Sequence, residues 1–226
     1  MKRRTLDFIF AGGGLLLAVL LLILGFVLAD QASFAEDYVK EQLGEQRITF
    51  AEADKLTEEE TGWKEGSKCL TEYAGKLMTT GKMAECYGNY YIAMHMRRSA
   101  ANANVDGNKL GWDNETYATM GSIRTAAAAE VTAAKEKGDK EAEALAQKKV
   151  DAATSLRSSF QTGETLRGLL LTSYGFSIFG EKAALAATVC YIIGGLLIIL
   201  SVAGFIHAFM TPHDRVVLTN GGGNYS

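Results

Sequence analysis

The side chains with the most chemical potential in this sequence are Cys69, Cys86 and Cys190, and His95, His207 and His213. A thiol or imidazole becomes a metal ligand or a nucleophile when partners recur at short, fixed spacing. None does so here. There is no CxxCH, no HExxH, no GxSxG and no phosphate-binding glycine loop. The carboxylates of Glu58, Glu59, Glu60 and Glu85 are the remaining acid-base candidates. Thr57 stands directly before the first three, so Thr57–Glu60 reads as a capping box, with the glutamates at a helix N-terminus where their charge is favourable. The expectation is a protein that is not an enzyme, with no catalytic, cofactor-binding or metal-binding residues and no cofactor.

What the cysteines do depends on which side of a membrane they lie. Phe8 to Ala29 carries no charge, and neither does Ala183 to Ile206. At about 1.5 Å per helical residue, each run covers the roughly 30 Å hydrocarbon core of a bilayer. A charge at mid-bilayer costs about 2.5–3.5 kcal/mol on insertion scales, so both runs read as transmembrane helices, over 8–29 and 183–210. Lys2, Arg3 and Arg4 precede the first, whereas Asp30, Glu36 and Asp37 follow it. The positive-inside rule therefore puts residues 1–7 and the tail 211–226, with His213 and Arg215, in the cytoplasm. The same rule puts 30–182 outside, in a protein of the cell membrane. Val27 and Ala29 would also suit a signal-peptidase site, but the apolar run exceeds the 7–15 residues or so of a signal peptide. An uncleaved anchor is the expectation.

Pro212 is the only proline, and Ala, Leu, Glu and Lys abound, so the fold class is all-α. Two transmembrane helices flank an extracytoplasmic helical bundle. Along 30–162 the patterning predicts a helix over 30–46 with Phe34, Tyr38 and Leu43 on one face, then an extended Arg47–Phe50. A helix over Cys69–Met78 ends at Thr79-Thr80-Gly81. The next starts near Lys82 and buries Met83, Tyr87, Tyr90, Tyr91 and Met94, these aromatics being read as core. Asn102 to Asn114 is a loop. Helices over 115–137 and 139–160 are divided by Gly138 as C-cap and Asp139 as N-cap. Leu145, Ala152, Leu156 and Phe160 are expected to face inward on the second. Residues 163–182 form a membrane-proximal amphipathic helix with Leu166, Leu169, Leu170, Ser173, Tyr174 and Ser177 on one face. That helix lies at the outer leaflet or closes the base of the bundle's core.

Cys69 and Cys86 then fall outside, where disulfides persist. A helical hairpin turning at Gly81 offsets them by roughly 6–10 Å along the axis, against the Cα separation of about 4.4–6.8 Å that a bridge needs. The compartment favours a disulfide and the geometry is neutral, so a bridge is expected. In the spans, Gly14 and Ala18 on one side, and Ala186, Cys190 and Gly194 at four-residue spacing on the other, are the candidates for close transmembrane packing.

Two stretches carry a family resemblance. One is Cys69, Tyr73-Ala74-Gly75-Lys76, Thr80-Gly81-Lys82-Met83-Ala84, Tyr87, Tyr91-Ile92 and His95-Met96. The other is Gly163-Glu164-Thr165-Leu166-Arg167-Gly168-Leu169-Leu170-Leu171 with Tyr174-Gly175-Phe176 and Phe179-Gly180. Together they resemble an uncharacterised family of actinobacterial two-span membrane proteins. The resemblance implies the topology and an extracytoplasmic domain, and no chemistry.

The net charge of −3, with no basic stripe, argues against nucleic acid. The expected partners are the lipid bilayer and another membrane protein or a second copy of this chain. The expected function is a non-enzymatic interaction or scaffolding subunit of a cell-envelope membrane complex. The alternative is an extracytoplasmic ligand-binding or sensor module that signals through a partner, since the tail is too short for an output domain.

Overall fold

A computed structural model describes residues 2–212, so the tail beyond Pro212, with His213 and Arg215, lies outside the described residues. The described residues are all-α in class, with 81% of them helical. It divides into two compact units, one formed by Met1–Asp37 with Ile178–Ser226 and the other by Tyr38–Ser177.

The first unit is a helix pair drawn from α1 (Arg3–Glu45) and α7 (Lys140–Met210). Both helices are long and apolar enough to cross a membrane. They run antiparallel and touch along small residues. A Cβ on Gly14 would lie 2.7 Å from Ser201 Oγ, one on Gly25 3.2 Å from Cys190 Cβ, and one on Gly204 3.2 Å from Ala11 Cβ. At the far end Gly180 faces Ala35, whose Cβ would be 2.8 Å from a Cβ placed there. The buried positions recur every seven residues: Ala11, Ala18 and Gly25 on α1, and Ala187, Gly194, Ser201 and Ala208 on α7. Seven residues is the period that keeps one seam facing its partner in a left-handed pair. Large side chains point away from the seam, with Phe10 72%, Phe26 71% and Leu200 66% exposed.

The second unit has two packed centres. One gathers Val39, Leu43, Phe50, Leu70, Met78, Met83, Cys86, Ile92 and Leu170, with Tyr73, Tyr87, Tyr90 and Tyr91 against them. This is the core role expected of the tyrosines. Phe50 N donates to Lys76 O at 3.0 Å and Met78 N to Ile48 O at 2.8 Å, which ties 48–50 to 76–78 as an antiparallel bridge. The other centre gathers Ala100, Met120, Ala153, Leu156 and Phe160. There α6 (Tyr117–Glu136) runs antiparallel to the start of α7, with Lys149 Nζ 2.8 Å from Glu130 Oε2 and Arg157 stacked 4.1 Å over Tyr117. Their connection is a Schellman turn. Gly138 has φ +70°, Asp139 N donates to Ala134 O, and Asp139 Oδ1 caps α7 by accepting from Ala142 N at 3.0 Å.

Several local expectations need correction. The helix read over Cys69–Met78 is only α3 (Cys69–Glu72). Gly75, at φ +69°, turns the chain out of it so that 76–78 can pair with 48–50. Residues 30–46 are not a separate helix but the continuation of α1, and Phe34 and Tyr38 are exposed while Ala35, Val39 and Leu43 are buried. On α7 the buried face is Ala146, Ala153, Leu156 and Phe160, whereas Leu145 is exposed. The 163–182 segment is helical within α7, continuous on both sides. Leu170 is buried in the core and Leu166 packs on it, but Leu169 points outward. The 102–114 loop holds a two-residue hairpin, β1 (Asn104–Val105) with β2 (Asn108–Lys109). It turns on Asp106 and Gly107, both at positive φ.

Candidate functional site

Around His95 the chain builds a polar arrangement from a helix cap and the helix that carries His95. Thr57 begins the short helix α2 (Glu58–Gly62) with the expected capping box. Thr57 N donates to Glu60 Oε2 at 2.7 Å, and Glu60 N donates to Thr57 Oγ1 at 3.2 Å. This holds the Glu60 carboxylate inside the fold, almost fully buried. There its other oxygen, Oε1, lies 3.2 Å from His95 Nε2. Next door Arg98 Nε and Nη2 grip Glu59 Oε2 at 3.0 and 2.8 Å. Burial alone would raise the Glu60 carboxyl. The Thr57 backbone and hydroxyl hydrogen bonds, with the His95 and Arg98 charges, outweigh it and hold the group below its usual range.

His95 follows one turn after a π-helical stretch, Tyr87–Ile92, and opens α5 (Ala93–Ala101). Its Nδ1 sits 2.8 Å from Tyr91 O. A carbonyl and a carboxylate both only accept, so each ring nitrogen of His95 faces an acceptor. Its ring lies tilted by 42° on Tyr91, 4.1 Å between centroids, and Tyr91 in turn stacks on Tyr87 at 4.6 Å. Burial, then the neighbouring Tyr91, pushes the Tyr87 phenol up to about 12. With both nitrogens engaged by the protein, the imidazole forms a fixed wall.

That wall borders an open groove of about 750 Å³. Tyr91, His95, Met96 and Ser99 form one side, and α7 supplies Thr154, Ser155, Ser158, Ser159 and Thr162 on the other. Gly163 lies where Met96 Sδ packs, so a side chain there would displace the methionine.

Cys69 and Cys86 stand at disulfide distance, with Cα atoms 6.1 Å apart. The offset expected from a helical hairpin does not arise, because α3 ends at Glu72 and Cys69 is its first residue. Of the transmembrane packing candidates, Ala18 and Gly194 are buried in the seam, where a Cβ on Gly194 would meet Ala18 O at 3.3 Å. Gly14 and Cys190 line it. Ala186 is only half-buried, and Ala187 takes its place. The four-residue ridge meets the seam at Cys190 and Gly194 and leaves it at Ala186. The seven-residue recurrence of Ala11, Ala18 and Gly25 is the sequence pattern that follows the seam on α1. Near the α1 start Asp7 Oδ2 is buried without a hydrogen-bond partner, 3.9 Å from His207 Nε2. Among the described residues no group of three or more His, Cys, Asp or Glu side chains is arranged to hold a metal ion. No protein-family model, curated protein or solved structure matches this chain.

Proposed function

We propose that this chain is an integral membrane protein that crosses the bilayer twice, keeps both termini in the cytoplasm, and serves as a non-enzymatic interaction or scaffolding subunit of an envelope membrane complex. The observation that carries the reading is the helix pair of the first unit. Ala11, Ala18, Gly25, Ala187, Gly194 and Ser201 are consumed in its own seam, while Phe10, Phe26 and Leu200 project outward. Surfaces of that kind are stable against lipid or another apolar helix and not against water. The basic cluster before α1's apolar stretch and the acids after it favour the extracytoplasmic placement of residues 30–162. The cysteine pair at disulfide distance suits that compartment. On α6 the exposed face of Ser122, Thr125, Ala126, Ala129 and Ala133 is flat and uncharged, a shape against which another helix can pack closely. Membership of the actinobacterial two-span group is part of the same proposal.

Two measurements test it. A compartment reporter fused near Asn108 should be active outside the cytoplasm, and activity inside would overturn the topology. Isolation of the full chain in mild detergent should recover one stoichiometric partner or a second copy; a monodisperse monomer would overturn the scaffolding role.

A further inference from the structure

We propose that the groove beside His95 binds a neutral, hydroxyl-rich ligand of the saccharide class. The proposal does not depend on the scaffolding role. The chemistry of the lining selects this class. No Asp, Glu, Lys or Arg side chain lines the groove, and His95 is already paired with Glu60, so no unpaired charge is offered to a charged ligand. Its hydroxyls are not equivalent donors and acceptors. Thr154 donates its proton to Val150 O at 2.7 Å, Ser159 to Ser155 O at 3.1 Å, Thr162 to Ser158 O at 3.2 Å and Ser99 to His95 O at 2.9 Å. A helical Ser or Thr whose proton is committed to its own backbone leaves only lone pairs for a ligand. Four of the six Ser and Thr hydroxyls lining the groove thus present acceptors, from two helices, which a ligand rich in O–H donors satisfies.

The apolar faces of a sugar ring need an apolar surface, and the opposite side provides one. Met96 and His95, whose side chain is 36% exposed, both line that side of the groove. The Glu60 and Tyr91 contacts lock that ring, so little conformational freedom is lost when a ligand lies on it. The volume falls within the range of small-molecule sites. Because both imidazole nitrogens are engaged, the groove is built to hold a ligand and not to cleave it.

The test uses the full chain in lipid nanodiscs, avoiding detergents with sugar headgroups. Saturation-transfer NMR is recorded at millimolar maltotriose, triacetylchitotriose and myo-inositol, with spermine as a charged comparison. At least one neutral probe should receive saturation and spermine should not. Ser158 is exposed, so S158W fills the groove without entering a core, and the signal should disappear. The isosteric pair T154V and T162V, which removes two acceptors, should weaken binding about tenfold. If S158W lowers the melting temperature, that pair decides. No transfer from any neutral probe, transfer from spermine alone, or binding undiminished in the variants that fold would each overturn the proposal.

Discussion

Glu60 Oε1 and His95 Nε2 stand 3.2 Å apart, joining a helix cap to an aromatic stack from a different part of the chain. The cap supplies the position of the carboxylate, and the carboxylate fixes the tilt of the ring on Tyr91. Removing it by E60A orphans Thr57 N and one imidazole nitrogen together. A loss of about 1–3 kcal/mol is expected, measured as a lower denaturation midpoint, and E60Q should retain part of it. An E60A protein as stable as the parent would show that the pair is ornamental.

The same carboxyl predicts an acid limb. It is held below its usual range in the folded chain, so its contribution is present above the ordinary carboxylate value of about 4.3. The contribution is lost as pH falls through the depressed folded value. Melting temperatures between neutral pH and pH 3 should fall more steeply for the parent than for E60Q.

At the alkaline end Tyr87 acts in the opposite sense. Its phenol is pushed up to about 12 by burial and then by Tyr91, against about 10 in an unfolded chain. The neutral phenol's contribution is complete below about pH 10 and declines as pH rises through the folded value. Y87F should remove this alkaline slope, and an unchanged slope would assign the titration to another group.

Cys69 and Cys86 close a loop across a sequence separation of 17. Loop-closure entropy for that length predicts a loss of about 3 kcal/mol in C69A/C86A. Alkylation of the unreduced, denatured protein should label Cys190 alone, and all three cysteines after reduction. Three labels before reduction would exclude the bridge.

In the helix pair, Ala187 is 2% exposed whereas Ala186 is half-buried. A187L drives a large side chain into the seam at a cost of about 1–3 kcal/mol. A186L should cost clearly less, as read from unfolding in detergent. Equal effects, or the reverse order, would restore the four-residue ridge.

The sequence by itself determined the features whose causes are local. Absence of charge over a bilayer's length is a property of consecutive residues, so the two apolar helices were legible. Thr57 and Glu60 bond across three residues, and Gly138 and Asp139 stop and start neighbouring helices, so these were legible too. Only the tertiary structure decided where non-local partners compete with local pattern. The periodic Leu70, Tyr73, Ala74, Leu77 and Met78 suit a helix, yet pairing of 76–78 with 48–50 wins because it satisfies backbone groups of both segments at once. Leu145 and Phe34 carry the stronger hydrophobic signal, yet Ala146 and Ala35 are the buried positions, because small residues matter only once another backbone lies within reach. The His95 groove required α5 and α7 to meet, a consequence of packing that no spacing along one helix encodes.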